Sequence, residues 1–166
     1  MIRLATMVEE RQRNSGFYIN QFSVSNCVVN MISPKMYREF VFPYDKKIAL
    51  SFERFGVHTC NWNVTPYVDM FRDLPNLGYL DMGMESDFVK VKAAVPETRR
   101  AVMYWPTKLQ DASLEEIRRD MERVYRDLAP CDVAMVDIQA STPDERVNQF
   151  LGICRSLESG KKPDQT

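Results

Sequence analysis

The sequence lacks the features that mark several large classes of protein. No stretch of about 18 apolar residues runs without a charged residue, which excludes a membrane-spanning helix. Charged residues, among them Arg3 and Glu9, interrupt the N-terminus, so no signal peptide is visible and we expect a cytoplasmic protein. The 22 basic and 23 acidic residues nearly balance, which gives no support for a nucleic-acid partner or an acidic membrane surface.

Paired cysteines and nucleotide-binding motifs are also missing. The four cysteines contain no CxxC pair, and without an export signal we expect free thiols in a reducing compartment. Neither GxGxxG nor GxxxxGKS/T follows a predicted strand, so neither nucleotide fingerprint is present. The chain is 45% hydrophobic and 11% aromatic, which is enough to bury a core and excludes disorder.

Short apolar runs alternate with helical patterns along the chain. The runs are five to seven residues long, rich in β-branched or aromatic side chains, and they predict strands at residues 16–22, 57–62, 78–82, 100–105 and 132–138. Because no hairpin signal joins them, the pattern predicts an α/β fold with a parallel sheet. Two architectures fit this pattern, an open doubly wound sheet and a (βα)8 barrel.

Helical periodicity is clearest between residues 114 and 128. Ile117, Met121, Val124 and Leu128 recur on one face there, and Ser113 with Glu116 has the spacing of a capping box. Thr142 and Glu145 have the same spacing before a last helix over residues 143–157, whose expected buried face is Val147, Phe150, Leu151 and Cys154.

Further helices are predicted near the N-terminus. One covers residues 2–13, and one follows Pro34 and is expected to kink at Pro43. The second presents an apolar set of Tyr37, Phe40, Val41, Tyr44, Ile48 and Phe52. We expect one domain over residues 1–158 and a frayed tail over residues 159–166.

Candidate functional residues cluster where the predicted strands end, which is where α/β folds place their active sites. His58 and Cys60 alternate on one strand, so their side chains point to the same face and can meet at one metal ion. Met and aromatic residues at the strand ends indicate either ordinary packing or an apolar substrate pocket, and the pocket candidates are Trp62, Met82, Tyr104, Trp105 and Gln139. Glu85 is a candidate metal ligand or proton acceptor, with a solvated loop carboxylate as the alternative.

Several segments together resemble the uroporphyrinogen decarboxylase superfamily. Residues 33–48 (SPKMYREFVFPYDKKI) are similar to its SPE-y-y-EF-v-P-y-K-i helix, and His58-Thr59-Cys60 follows where the corrinoid-dependent methyltransferase branch carries HxCG. Residues 113–117 (SLEEI) resemble the gt-pEev helix start, and Thr142-Pro143 resembles the tP-eN segment. The similarity extends from about residue 15 to the last helix, nearly the whole chain.

The resemblance implies a TIM-like (βα)8 barrel and a zinc ion bound by the HxC pair and a later cysteine. In that branch, zinc activates a thiol substrate such as coenzyme M or homocysteine, which takes a methyl group from a corrinoid. This sequence departs from the pattern at Asn61, which replaces a glycine, and at residues 136–141, which contain no cysteine. By alignment, Asp137 is the nearest candidate for the third zinc ligand.

The resemblance leaves other functions open. A non-catalytic or truncated member that acts as a subunit or binding module is one alternative, and a metal-free lyase of the decarboxylase type is another. Five βα units in 166 residues correspond to the C-terminal part of a barrel of eight, which usually needs about 250 residues. We therefore expect either a further N-terminal portion or self-association, and a corrinoid delivered by a separate protein.

Overall fold

The computed structural model describes residues 1–160, so most of the predicted tail lies outside the described residues. The strands are β1 (Phe22–Ser25), β2 (Phe55–His58), β3 (Leu77–Gly83), β4 (Arg99–Met103) and β5 (Asp132–Ala134). The helices are α1 (Ile2–Asn14), α2 (Pro34–Met36), α3 (Phe42–Ala49), α4 (Val68–Arg72), α5 (Phe88–Ala94), α6 (Pro106–Asp111), α7 (Leu114–Leu128) and α8 (Asp144–Glu158). Within this part of the chain, no helix is long and apolar enough to cross a membrane.

The five strands form one parallel sheet in the order of the chain. Helical segments separate each pair of successive strands, which confirms the predicted α/β class. Sequential parallel order is the arrangement found in a TIM-like barrel, and the chain is consistent with part of one. Among the described strands, β1 and β5 are each paired on one side only.

The two faces of the sheet differ in chemistry because successive side chains of a strand point to opposite faces. One face carries apolar side chains that pack into the core: Val24, Val57, Leu80, Val102 and Val133. The other face carries mostly small and polar side chains, together with Met103: Ser25, His58, Asp81, Ala101 and Asp132. In a closed barrel, one face of every strand lines the interior. Here the apolar face is packed into the core, so the polar face is the one that would line a barrel interior.

Helix α7 agrees with its sequence pattern in detail. Ser113 Oγ accepts a hydrogen bond from the Glu116 backbone N–H at 3.1 Å, as the capping box predicts. The predicted apolar stripe is buried along its whole length: Ile117, Met121, Val124 and Leu128. Local periodicity was sufficient here because the helix has one packed face and one solvated face.

The strand boundaries predicted from the sequence were wrong by several residues at three strands. The second predicted strand covered residues 57–62, but β2 ends at His58, so Cys60 lies in the turn after the strand and does not alternate with His58 on it. The first predicted strand covered residues 16–22, but β1 begins at Phe22. Tyr18 contacts α1 instead of the sheet, since its hydroxyl donates to Glu9 at 2.8 Å and its ring packs against the Arg13 guanidinium. The last predicted strand covered residues 132–138, whereas β5 ends at Ala134. Asp137 and Gln139 therefore lie beyond the sheet.

The helical stretch around Pro43 is irregular, and its exposed side differs from the expectation. A π-helical turn over Tyr37–Val41 precedes α3, in the region where Pro43 removes a backbone donor and its ring crowds the preceding turn. The wider turn shifts the periodic face. Tyr37 is buried as expected, but Phe40 is 58% exposed and Tyr44 is 67% exposed.

The last helix begins and packs slightly differently from its prediction. The residue before α8 is Pro143, with no side-chain cap, and the Thr142 hydroxyl donates instead to Gln110 Oε1 at 3.3 Å. Phe150 and Ile153 are the buried residues of α8. Leu151 is 39% exposed, so its predicted place in the core was wrong, while Val147 and Cys154 pack partly buried against the core.

Candidate metal centre

Two thiols and one imidazole meet at the carboxyl ends of β1 and β2. Their ligand atoms, on Cys27, His58 and Cys60, all lie within 4.8 Å of one another. The Cys60 Sγ lies 3.1 Å from the Cys27 Sγ and 3.0 Å from the His58 Nε2. All three residues are partly buried. This group could bind a metal ion, and Cys27 is a member that the sequence analysis did not identify.

The register of two parallel strands brings these residues together. Ser25, the last residue of β1, pairs with His58, the last residue of β2. Two residues further along each strand direction, Cys27 lies beside Cys60. The Asn26 N–H donates to the His58 carbonyl at 2.7 Å, which keeps the two segments side by side beyond the strands. The left-handed turn at Cys60 then brings its thiol next to Cys27 and the His58 ring.

Close packing between loops fixes the turn that follows β2. Cys60 has φ 58°, a left-handed conformation that a non-glycine residue adopts only when its surroundings hold it there. The Asn61 carbonyl lies against Gly83, where any Cβ would collide with it. The Gly83 N–H donates to the Trp62 carbonyl at 2.8 Å, and Trp62 Nε1 donates to the Cys27 carbonyl. The two cysteine-bearing loops are thus tied to each other and to the end of β3.

Asp81 orients His58 from the neighbouring strand. It is 1% exposed, and its Oδ2 lies 2.5 Å from His58 Nδ1. The same carboxylate accepts from the Thr59 N–H at 2.6 Å and from the Tyr79 hydroxyl at 3.1 Å. An ionised carboxylate only accepts hydrogen bonds, so we assign the imidazole proton to Nδ1. This leaves the Nε2 lone pair directed toward the thiols, as in metal sites where a carboxylate supports a ligating histidine.

The donor set fits zinc. Sulfur and nitrogen ligands are the ones zinc prefers, and at tetrahedral geometry two sulfurs would lie about 3.8 Å apart and a sulfur and a nitrogen about 3.6 Å apart. The observed separations of 3.1 Å and 3.0 Å need to widen by less than about 1 Å. Burial, the Cys27 thiol and the Asp81 carboxylate raise the pKa of Cys60 to about 11, so a bound cation is needed to keep this sulfur a thiolate at neutral pH.

The sequence-predicted third ligand, Asp137, is not part of this group. It is exposed, has φ 60°, and lies three residues beyond the end of β5. Three strand spacings separate β5 from β2, or about 14 Å across a flat sheet. Cys27 is the third residue of this group instead, and Asp137 as a zinc ligand stays a prediction.

Glu85 lies in the turn after β3 and is exposed. It lines a surface cleft together with Thr65, Arg123 and Asp127, and it is not one of the three metal-ligating residues. Its role as a ligand or proton acceptor stays a prediction.

The predicted pocket residues lie in different environments. Trp62 is 40% exposed beside Cys27. Met82 and Tyr104 are buried in the core with the helices, on the opposite face of the sheet from His58 and Asp81. Trp105 is partly buried against Tyr104, and the exposed Gln139 donates to the Asp137 carbonyl at 3.2 Å. A substrate pocket formed by these residues stays a prediction.

Comparison with known proteins supports the fold. No protein-family model matches the sequence, and no curated protein sequence matches it. The structure is similar to that of a methyltransferase from Methanosarcina mazei, with a TM-score of 0.68 and 16% sequence identity. The match covers 95% of this chain and 47% of that chain, so this chain spans about half the length of the structure that it matches. At this identity, the likeness shows a methyltransferase-like fold.

Proposed function

We propose that this chain forms part of a zinc-dependent methyltransferase of the uroporphyrinogen decarboxylase superfamily. The observation that carries the proposal is the convergence of Cys27, His58 and Cys60 at the carboxyl ends of two adjacent strands, with Asp81 behind the histidine. The similarity of its fold to that of a methyltransferase, and the resemblance of residues 33–48 and of the HxC motif to the superfamily, support the class of reaction.

In the proposed site, the two cysteines supply thiolates and His58 supplies Nε2. Three protein ligands leave a fourth tetrahedral position free for a substrate. Bound zinc would lower the pKa of a thiol substrate and hold it as a nucleophilic thiolate for attack on the methyl group of a corrinoid. Two thiolates and a neutral imidazole balance the double positive charge of the metal, so a substrate thiolate would be the only unbalanced charge at the centre.

The protein's own contribution is orientation and exclusion of water. Asp81 holds the ring of His58, and the Thr59 hydroxyl donates to the Asp81 carbonyl at 2.7 Å, which ties the turn to β3. The indole of Trp62, which donates to the Cys27 carbonyl, would cover one side of a bound thiol. We propose that the corrinoid arrives on a separate protein, and that a second half-barrel, in the same polypeptide or another subunit, covers the open side of the sheet.

The experiment begins with the reduced protein and zinc. We expect one zinc ion per chain in wild type and in Cys131→Ser, and a large loss of affinity in Cys27→Ser and Cys60→Ser. Cys131 is the matched control because its sulfur lies outside the group, in a groove between α7 and α8. Methyl transfer from methylcobalamin to coenzyme M or homocysteine, followed by mass spectrometry of the thiol, then tests the reaction. Equal zinc affinity in all four proteins would overturn the assignment.

A non-catalytic subunit is the second candidate, and the open sheet favours it. The chain covers about half of the methyltransferase that it matches, and the polar face of the sheet has no opposing half among the described residues. This candidate predicts zinc binding without methyl transfer to either thiol, even when the corrinoid is in excess. Methyl transfer that disappears in Cys60→Ser would exclude it.

A further inference from the structure

The metal-ligating group contains two thiols that are unusually close. The sulfurs of Cys27 and Cys60 lie 3.1 Å apart, nearer than the roughly 3.8 Å that a tetrahedral zinc would impose. A disulfide bond is about 2.05 Å long. The observed separation therefore lies between these two distances. If the sulfurs move apart by less than about 1 Å, they can share a zinc ion, and if they approach by about 1 Å, they can form a disulfide bond.

The backbone holds the two cysteines on neighbouring segments. Cys27 and Cys60 each lie two residues beyond the paired residues Ser25 and His58, and the Asn26 N–H donates to the His58 carbonyl at 2.7 Å. A disulfide needs Cα atoms about 4.4–6.8 Å apart, a range that includes the spacing of about 4.8 Å between adjacent strands. Both thiols are partly exposed, so a small oxidant has access to them.

We propose that Cys27 and Cys60 are an oxidation site that closes to a disulfide in the metal-free protein, so that metal binding and oxidation exclude each other. This inference rests on the proposed metal centre. A disulfide would remove both thiolates and leave His58 as the remaining ligand of the group, and one imidazole does not make a zinc site. Oxidation would then switch off metal binding, and bound metal would protect the thiols.

The oxidant is a low-molecular-weight disulfide, RSSR. One protein thiolate attacks a sulfur of RSSR, the S–S bond breaks, and RS⁻ leaves. The second protein thiolate attacks the protein sulfur of the mixed disulfide and releases a second RS⁻. The two protons of the protein thiols go to the two RS⁻ ions. Two protein thiols are oxidised to one disulfide, and one RSSR is reduced to two RSH.

The test treats reduced, metal-free protein with oxidised glutathione, with and without one equivalent of zinc, and then blocks the remaining thiols. Each of the four cysteines lies on a separate tryptic peptide, since an Arg or Lys falls between every successive pair. We expect a cross-link between the peptides that contain Cys27 and Cys60, its absence when zinc is present, and its reversal by dithiothreitol. After oxidation, zinc binding should fall to background.

Single cysteine variants show which two thiols form the cross-link. Cys27→Ser and Cys60→Ser should lose the cross-link, whereas Cys131→Ser and Cys154→Ser should keep it, and circular dichroism confirms that each variant is folded. If zinc binds the reduced protein but no cross-link between Cys27 and Cys60 forms, the oxidation site is refuted and the metal centre stands. If the cross-link forms and zinc neither binds nor protects, the metal centre and the proposed competition are both refuted.

Discussion

The imidazole Nδ1 of His58 and the buried Oδ2 of Asp81 lie 2.5 Å apart across two adjacent strands. The pair directs the other ring nitrogen, Nε2, toward Cys60 at 3.0 Å. A residue on β3 thus sets the direction of a ligand on β2, and the predicted metal affinity depends on both.

Asp81→Asn is expected to weaken zinc binding by about 10–100-fold, the usual effect of removing a carboxylate behind a ligating histidine. The amide carries no negative charge and cannot serve both the His58 and the Thr59 donors equally well. Competition with a chromophoric chelator measures the affinity. Asp120→Asn is the control, because Asp120 accepts from Tyr104 and Lys108, away from the metal group. An unchanged affinity in Asp81→Asn would show that His58 needs no such support.

Cys27→Ser and Asp137→Asn distinguish the two candidate third ligands. Structural zinc sites bind with about 10–16 kcal/mol shared among four ligands, so the loss of one thiolate costs on the order of 3 kcal/mol, or more than about 100-fold in affinity. We expect that loss in Cys27→Ser and none in Asp137→Asn. Isothermal titration with zinc under reducing conditions measures both. The reverse pattern would restore Asp137 as the ligand that the alignment suggested.

Gly83→Ala should disrupt the metal group without touching a ligand. The new Cβ would collide with the Asn61 carbonyl, which forces the turn that carries Cys60 to move. We expect weaker zinc binding and a loss of about 1–3 kcal/mol of stability, typical of overpacking. Gly152→Ala is the matched control, since its Cβ meets nothing within 4 Å and alanine favours a helix by about 0.5–1 kcal/mol. Chemical denaturation of both variants checks the prediction, and equal stability would contradict it.

Asp45 gives a prediction for pH. It is 4% exposed, and burial raises its pKa despite hydrogen bonds from Tyr37 and Asn26 that lower it. The folded state holds the Asp45 proton more tightly than the unfolded state does. The protonated carboxyl therefore contributes its full stabilisation below the unfolded pKa of about 3.9, and this stabilisation is lost as the pH rises through the folded pKa. Relative to wild type, Asp45→Asn should therefore gain stability between acidic and neutral pH.

Tyr37→Phe provides the companion measurement for Asp45. Removing the hydroxyl that donates to Asp45 Oδ2 at 2.6 Å should raise the pKa of the carboxyl further and move the transition to higher pH. Urea denaturation across the pH range, followed by circular dichroism, measures both variants. If the stability of wild type and that of Asp45→Asn changed with pH in parallel, the raised pKa of Asp45 would be refuted.

The unpaired edges of the sheet predict that the 166-residue chain associates with itself. β1 and β5 are each paired on one side only within residues 1–160, and unpaired edges favour association with another chain. Sedimentation equilibrium should give a mass above the 19.4 kDa of one chain. A stable monomer at low micromolar concentration would show that the edges are protected in another way.

The alternation of strands and helices and the capped helix α7 could be predicted from the sequence, because both depend on local periodicity. The spacing of His58 and Cys60 also marked them as candidate ligands. Their side chains meet for another reason than the predicted one, since β2 ends at His58 and Cys60 lies in the left-handed turn that follows. The errors in the strand boundaries had the largest effect on the predicted site. Because the first strand was predicted to end at residue 22 instead of Ser25, Cys27 did not stand out as a residue at a strand end.

Which side chains meet depends on the tertiary structure. Cys27 contacts Cys60, 33 residues away in the chain, and Asp81 contacts His58, 23 residues away. Both contacts depend on the parallel pairing of the strands, which no local sequence pattern specifies. The same register separates Asp137 from the group by the width of several strands. Metal ligation requires atoms within a few ångströms of one another, and that proximity comes from how the strands pair, not from their order in the chain.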